Sequence, residues 1–423
     1  MSKEKKWEER IDDLLGEFGL TRAEALKGHL KFDDKVGEIN ILDEVKPRMI
    51  TVKNVDDAKR FAGVPDEDYN EELSKYFDIL PPCPGEYNKL APGDLEPRHK
   101  QDIKRAMISY IYGNSQKVKS YKDIINKVHF PMKVPLLTGG DLTVYTGQIM
   151  NCQANIVYET ITVYQGGQLN CTDSINIQAK NLVQSPDVKY PPQAARSFAE
   201  EDIPPTGTTE SVGSPGIEGS VGGNGSAGGK GSQGGRGTDL KDRCDSPDGK
   251  SGKGGTGGNG TDGTAGGAGG NGGNSNPVTA HVYEIQGNIV LGSCGGNGGK
   301  GGKGGNGGNG GEGGNGGPNT PFCHTGDVGQ GGNGGKAGDG GCGGRGGDGN
   351  VLIFTFNTKA QGANITLGPT NSLGGGGGSP GTPGDGGNGN PWGNGGAAGN
   401  VGATGTNGKV GNVTWNELGP QGG

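Results

Sequence analysis

From Gly213 to Gly237 every third residue is glycine, and the residue after each of these is small or glycine except at Ile217. The phase returns at 254–272, runs unbroken as Gly-Gly-X from 295 to 318, and recurs in shorter blocks at 331–348 and 393–411. A period of three needs three residues per turn. The extended left-handed helix with polyproline-type dihedrals supplies that period at ~3.1 Å rise per residue, without internal hydrogen bonds. Its amides and carbonyls must find partners elsewhere when buried. Faces made only of glycine let neighbouring backbones come close enough to pair, while the X side chains point to solvent. From 295 to 318 the X residues are Asn297, Lys300, Lys303, Asn306, Asn309, Glu312, Asn315 and Pro318, as that picture requires.

Composition narrows the alternatives. Of 95 glycines, 13 lie in 1–205 and the other 82 (95 − 13) in 206–423. Only 29% of the chain is hydrophobic, so the second half cannot bury an ordinary side-chain core. Collagen requires far more proline than the 10 found after residue 205. A flexible linker has no reason to hold triplet phase or to keep one face small. Isolated calcium nonapeptide repeats are a third, poorer fit: Gly257 to Asp262 matches the first six positions, but Thr264 stands where a large apolar residue belongs, and no tandem nonapeptide array is present.

The first half reads differently. Residues 1–135 are expected to form a mainly helical anchoring domain. Trp7, Ile11, Leu14, Leu15 and Phe18 follow helical spacing, with Gly19 as C-cap. Thr21 and Glu24 make a capping box. Ile103, Met107, Tyr110 and Ile111 share a face, and Ser120 is expected to cap a helix bearing Ile124, Ile125 and Val128. From 136 to 183 the period changes. An offset of 19 aligns Thr143-Val144-Tyr145 with Thr162-Val163-Tyr164, Gly147 with Gly166, Asn151-Cys152 with Asn170-Cys171, and Ile156 with Ile175. That length suits one β-solenoid coil, which stacks Cys152 on Cys171 and Ile156 on Ile175. Residues 184–212 read as a Pro/Ser/Thr linker or collar. The expected fold is therefore mixed: a helical N-terminal domain, a short β-solenoid, and over 213–423 a C-terminal bundle of left-handed polyglycine-II helices with interspersed strands. The segments 282–285, 288–291, 351–356, 364–367 and 413–415 are β-like, so either the solenoid continues through them with glycine-helix excursions between its coils, or a separate glycine-helix sandwich carries them as caps.

Net charge is −7, split as −5 before residue 206 and −2 after it, which excludes the basic excess that nucleic-acid binding needs. Lys230, Arg236, Lys300, Lys303 and Arg345 sit among acids and amides and read as a solvated mixed face. The opening MSKEKKWEER has no apolar core of a secretory signal, and no run is long enough to span a membrane, so display outside a cell or on a virion is expected to use another route. Seven cysteines leave at least one thiol over. Cys323-His324 with Cys342 is a poor zinc pattern; free thiols or one loop disulfide are the simpler reading, and neither a metal nor a cofactor is expected. His29, His99 and His129 are scattered and suggest no catalysis.

Gly-Gly-Asn-Gly-Gly-Lys and the run 266–273 resemble the glycine-rich motifs of phage tail-fibre tip adhesins, and also those of mycobacterial glycine-rich surface proteins and insect glycine-rich antifreeze proteins. The resemblance to these polyglycine-II proteins covers roughly 206–423. It implies a rigid bundle with function on its loops or on one flat face. The first 205 residues resemble none of them.

The expected function is a non-catalytic structural or adhesive protein of a surface appendage or virion. The N-terminal domain would bind itself or an assembly partner. Loops 239–248, 319–330 and 388–394 would meet a surface glycan or protein, with Trp392, Asn390, Phe322, His324, Tyr283 and Asp245 as candidate contacts, Trp392 foremost for stacking on a sugar. One alternative is a solenoid enzyme acting on polysaccharide, which needs a carboxylate or basic cluster on one face. Asp173, Glu159 and Lys180 lie near the strands without a recurring arrangement. Another is ice binding by a flat face carrying Thr256, Asn259, Ala265, Ala268 and Asn271.

Overall fold

The structure, a computed structural model, describes residues 7–63, 66, 77, 80–191, 208–212 (backbone only), 217–368 and 371–419. Most of the expected linker (192–207) and the glycine positions 213 and 216 lie outside the described residues.

The organising element is one large, almost wholly parallel sheet. Its main path runs β1-β4-β6-β8-β10-β9-β7-β5-β2, and β3, β11, β12 and β13 join it. The first strands are β1 (His29–Leu30), β2 (Gly37–Asn40) and β3 (Arg48–Val52). β4 (Met132–Val144), β6 (Asn155–Val163) and β8 (Ile175–Gln184) stack on one face, continued by β10 (Val278–Cys294), β11 (Val351–Lys359) and β13 (Asn412–Glu417). β5 (Gln148–Cys152), β7 (Gln168–Cys171), β9 (Thr208–Val212) and β12 (Asn364–Leu367) form the second face. The long β10 crosses from the first face to the second, where it pairs with β9 and β12. The corners fall at Gly147, Gly166, Gly287 and Gly362, all with φ between 74° and 82°, a conformation that glycine adopts without a Cβ clash. Ile156, Ile161, Val163, Leu169, Ile177, Ile285, Ile289, Leu291, Phe354 and Phe356 fill the space between the faces.

This corrects the expected fold class. No separate helical domain precedes the sheet: the N-terminal region itself contributes β1 to β3, and its helices are short, the longest among the described residues being Pro97–Tyr112. Their apolar sides exist to cover the sheet. Trp7, Ile11 and Leu15 pack with Leu136 and Val157, while Ile103, Tyr110 and Ile124 pack with Val351 and Ile353. Of the two arrangements open for 213–423, the separate glycine-helix bundle is the one overturned. β10 to β13 extend the same sheet, and the glycine runs are excursions between its strands with no helix or strand assignment. β9 likewise falls inside the expected linker and pairs with β7 and β10.

Smaller readings divide. Thr21 and Glu24 form the capping box, and Gly19 follows the first helix with φ 70°. Ser120 caps nothing; its hydroxyl accepts from the Cys83 amide, and helix Lys122–His129 starts without a side-chain cap. Cys152 does face Cys171, but Ile156 stacks on Leu137 and Ile177, because the step from β6 to β8 is 21 residues rather than 19.

Six glycine segments leave and re-enter the sheet: 217–237, 252–274, 295–318, 326–348, 372–389 and 393–411. Consecutive segments run antiparallel, as in Gly252 N to Gly235 O (2.9 Å) and Gly258 N to Gly229 O (2.7 Å). Alternate segments run parallel, as in Gly219 N to Lys300 O (2.8 Å) and Gly254 N to Asp327 O (2.9 Å). The triplet Gly310-Gly311-Glu312 shows the scheme: Gly310 N donates to Asp385 O, Gly311 N to Gly258 O, and Glu312 O accepts from Gly231 N. Two of three amides are thus paired with backbone, which is how a region without a side-chain core meets the need to satisfy buried polar groups.

Candidate functional site: the outer turns of the glycine stack

The third amide of each triplet explains the asparagines. Asn306 N donates to Asn224 Oδ1 (2.9 Å), and Thr382 N donates to Asn306 Oδ1 (3.0 Å). Asn333 N donates to Asn259 Oδ1 (2.8 Å), and Asn394 N to Asn333 Oδ1 (2.9 Å). These bonds step by 82, 76, 74 and 61 residues, the same steps as Thr209↔Leu291, Asn288↔Asn364, Val278↔Leu352 and Val351↔Asn412 in the sheet. The stack therefore inherits its register from the strands. Asp339 and Asp348 play the same part, accepting from the amides of Asn400 and Lys409, and these bonds hold both carboxyls below the usual range. We expect Asn333→Ala to cost about 0.5–1.5 kcal/mol and to speed amide exchange at Asn394. Asn315→Ala, at a side chain with no hydrogen bond among the described residues, should do neither; equal effects would remove this role for the X-site asparagines.

The same register sets what the flat faces carry. Thr256, Asn259, Ala265, Ala268 and Asn271 lie beside a charged row that includes Lys336, Asp339 and Arg345, and Asn259 and Asn271 spend their Oδ1 on neighbouring amides. Lys230 pairs with Glu312 across the opposite face (3.0 Å). On the sheet, Lys180 pairs with Glu8 (3.0 Å) and approaches Glu159 (3.9 Å), so it helps dock the first helix; burial raises the Asp173 carboxyl. Among the described residues no group of three or more His, Cys, Asp or Glu could hold a metal. Cys323 is taken by a disulfide to Cys244, and the other five cysteines are thiols.

Because each segment pair begins and ends at the sheet, its turn falls at the far end. Three turns gather there, at 238–251, 319–325 and 388–392. The first two are joined by Cys244–Cys323, by Thr320 Oγ1 and Phe322 N donating to Asp239 Oδ1, and by His324 N donating to Gly249 O (2.8 Å). The third is fixed slightly inward, with Asn390 N on Gly329 O (2.9 Å) and Gly331 N on Pro391 O (3.0 Å). Trp392 is 71% exposed and Phe322 47%. His324, Asp245 and Asn390 are exposed at this end as well. Tyr283 is not. It sits in β10, on the face covered by helix Trp7–Gly16, partly buried beside Trp7 and Phe61. Leu240, exposed in the first turn, was not singled out by sequence; an isolated leucine in a polar loop gives no signal.

No helix among the described residues is long and apolar enough to cross a membrane. No protein-family model matches the chain, and no curated protein does. Among solved structures the chain is similar, at 22% identity and a TM-score of 0.09, to a springtail antifreeze protein from Granisotoma rainieri, described as a bundle of nine polyproline type II helices with crystal waters that match the ice lattice. The likeness covers 47% of this chain and 94% of that one, and at so low a score it carries no argument here.

Proposed function

We propose that the chain is a non-catalytic structural or adhesive protein, displayed on a surface appendage or virion, that meets its target with the outer turns of the glycine stack. The observation that carries this reading is the exposure of Phe322 in a turn tied by Cys244–Cys323 and of Trp392 in a neighbouring turn held by backbone bonds to Gly329 and Gly331. Large exposed aromatics on a fixed backbone are the residue type that anchors recognition, since they offer area at little entropic cost. The target class is a surface glycan or protein. Self-association or attachment to an assembly partner is assigned to the N-terminal region, whose helices already grip the sheet.

The test is retention of the full chain on immobilised neutral and acidic glycans and on intact bacterial cells. Trp392→Ala with Phe322→Ala should reduce retention at least tenfold, with an unchanged melting temperature. Retention that survives both substitutions, or no retention on any of these surfaces, overturns the reading.

A further inference from the structure

β4 carries two short strands along one edge. β3 lies antiparallel opposite Met132 to Leu136, and β1 lies parallel opposite Asp141 and Leu142. Between them, residues 137–140 have no strand partner on that edge among the described residues. A cleft of about 290 Å³ opens there, lined by Lys27, His29, Lys46, Arg48, Gly139 and Tyr158 among others. That is near the lower end of the range for small-molecule sites.

Three features distinguish it from a packing gap. First, its walls carry three cations and no Asp or Glu, within a chain of net charge −7. Lys27, Lys46 and Arg48 are exposed and form no ion pair among the described residues. Glu24 is held by Thr21 in the capping box, which lowers its pKa ahead of the smaller pull of Lys27 and Arg48. His29 is bonded to Asp141 (2.6 Å). Second, Tyr158 is only 2% exposed and lines the cleft, and no described residue bonds its hydroxyl, which is not sealed from solvent. Burial pushes its pKa up, so it stays a donor at neutral pH. A bound acceptor would take the place of water at that hydroxyl. Third, the ring is placed by a glycine in the middle of a strand: a Cβ on Gly139 would fall 2.5 Å from a Tyr158 ring carbon.

We propose that this cleft binds a small organic anion through a carboxylate or phosphate group, held by Lys27, Lys46 and Arg48 at the rim and by the Tyr158 hydroxyl within. Charge-assisted bonds to Lys and Arg are the strong ones, and their contribution falls with salt. The site is separate from the outer turns and does not depend on their role.

Calorimetric titration of the full chain with glucuronate and, separately, with inorganic phosphate at low salt tests it. Saturable binding of either probe is expected, and which one binds identifies the group. Lys46→Gln with Arg48→Met should weaken it at least tenfold, Tyr158→Phe about tenfold, and Trp392→Ala not at all. The two rim residues are exposed, so their double variant decides the matter should Tyr158→Phe lower the melting temperature. Absence of saturable binding by both probes, or affinity unchanged in the rim double variant, overturns the proposal.

Discussion

Gly311→Ala should collapse the middle of the glycine stack, while Gly229→Ala, on the other side of the same contact, should leave it intact. A Cβ on Gly311 would lie 2.1 Å from the Gly229 carbonyl oxygen and 2.7 Å from its carbon, both backbone atoms that cannot rotate away. Nothing lies within 4 Å of a Cβ on Gly229. Overpacking of this kind costs about 1–3 kcal/mol in an ordinary core, and more where only backbone can yield. Here the displaced backbone also carries Gly311 N to Gly258 O and Gly332 N to Gly311 O, so the segments on either side of 295–318 loosen with it. Gly229→Ala instead gains about 0.4–1 kcal/mol by restricting the unfolded chain. Chemical denaturation and amide exchange over 217–237 and 326–348 provide the readout. Equal effects from the two substitutions would show that lateral contact between glycine faces does not hold the stack together.

Loss of the Cys244–Cys323 bond is the second large effect. The two residues are 79 apart in sequence, so the bond closes a long loop that spans two complete glycine segments. Closing such loops contributes about 2–4 kcal/mol, mainly by restricting the unfolded chain. Cys244→Ser with Cys323→Ser should lower stability by that amount and raise exchange at Asp245, Phe322 and His324, leaving the sheet near Ile156 and Ile177 protected. Thiol titration of the unfolded chain gives an independent check: five reactive groups without reductant and seven with it. Seven in both conditions would remove the clamp from the account of the outer turns.

The triplet phase was readable because it is local. A glycine at every third position marks where each segment meets its neighbours, and the bonds of Gly219, Gly222 and Gly225 fall on that phase. The 19-residue repeat likewise foretold Cys152 on Cys171. What could not be read is whatever depends on pairing across long separations. Ile156 meets Ile177 because β8 follows a longer connection, and no pattern within either strand announces it. The N-terminal helices looked self-sufficient because their apolar stripes are clear, yet the partner of those stripes, from Leu136 to Ile353, is spread over the whole chain. The asparagines read as solvent decoration for the same reason: the amides that donate to their Oδ1 atoms lie 61 to 82 residues away. At the candidate turns, Trp392 stands out as an aromatic among glycines, whereas nothing within the β-like segment 282–285 announces that Tyr283 packs beside Trp7 and Phe61 instead of facing a target. The cleft beside β4 was invisible, since Lys27, Lys46, Arg48 and Tyr158 come from separate segments.

The sixth glycine segment differs from the inner ones on its outward side. In the fourth segment the row Gly334, Ala337, Gly340, Gly343, Gly346 and Gly349 donates to carbonyls of the sixth. Sixty-one residues on, by the register of Asn333 and Asn394, the matching row reads Gly395, Ala398, Val401, Thr404, Asn407 and Val410. Val401 and Val410 are largely exposed, and their branched side chains occupy the space where another backbone would have to sit. This outer face therefore lacks the bare glycine surface through which the inner segments pair backbone to backbone.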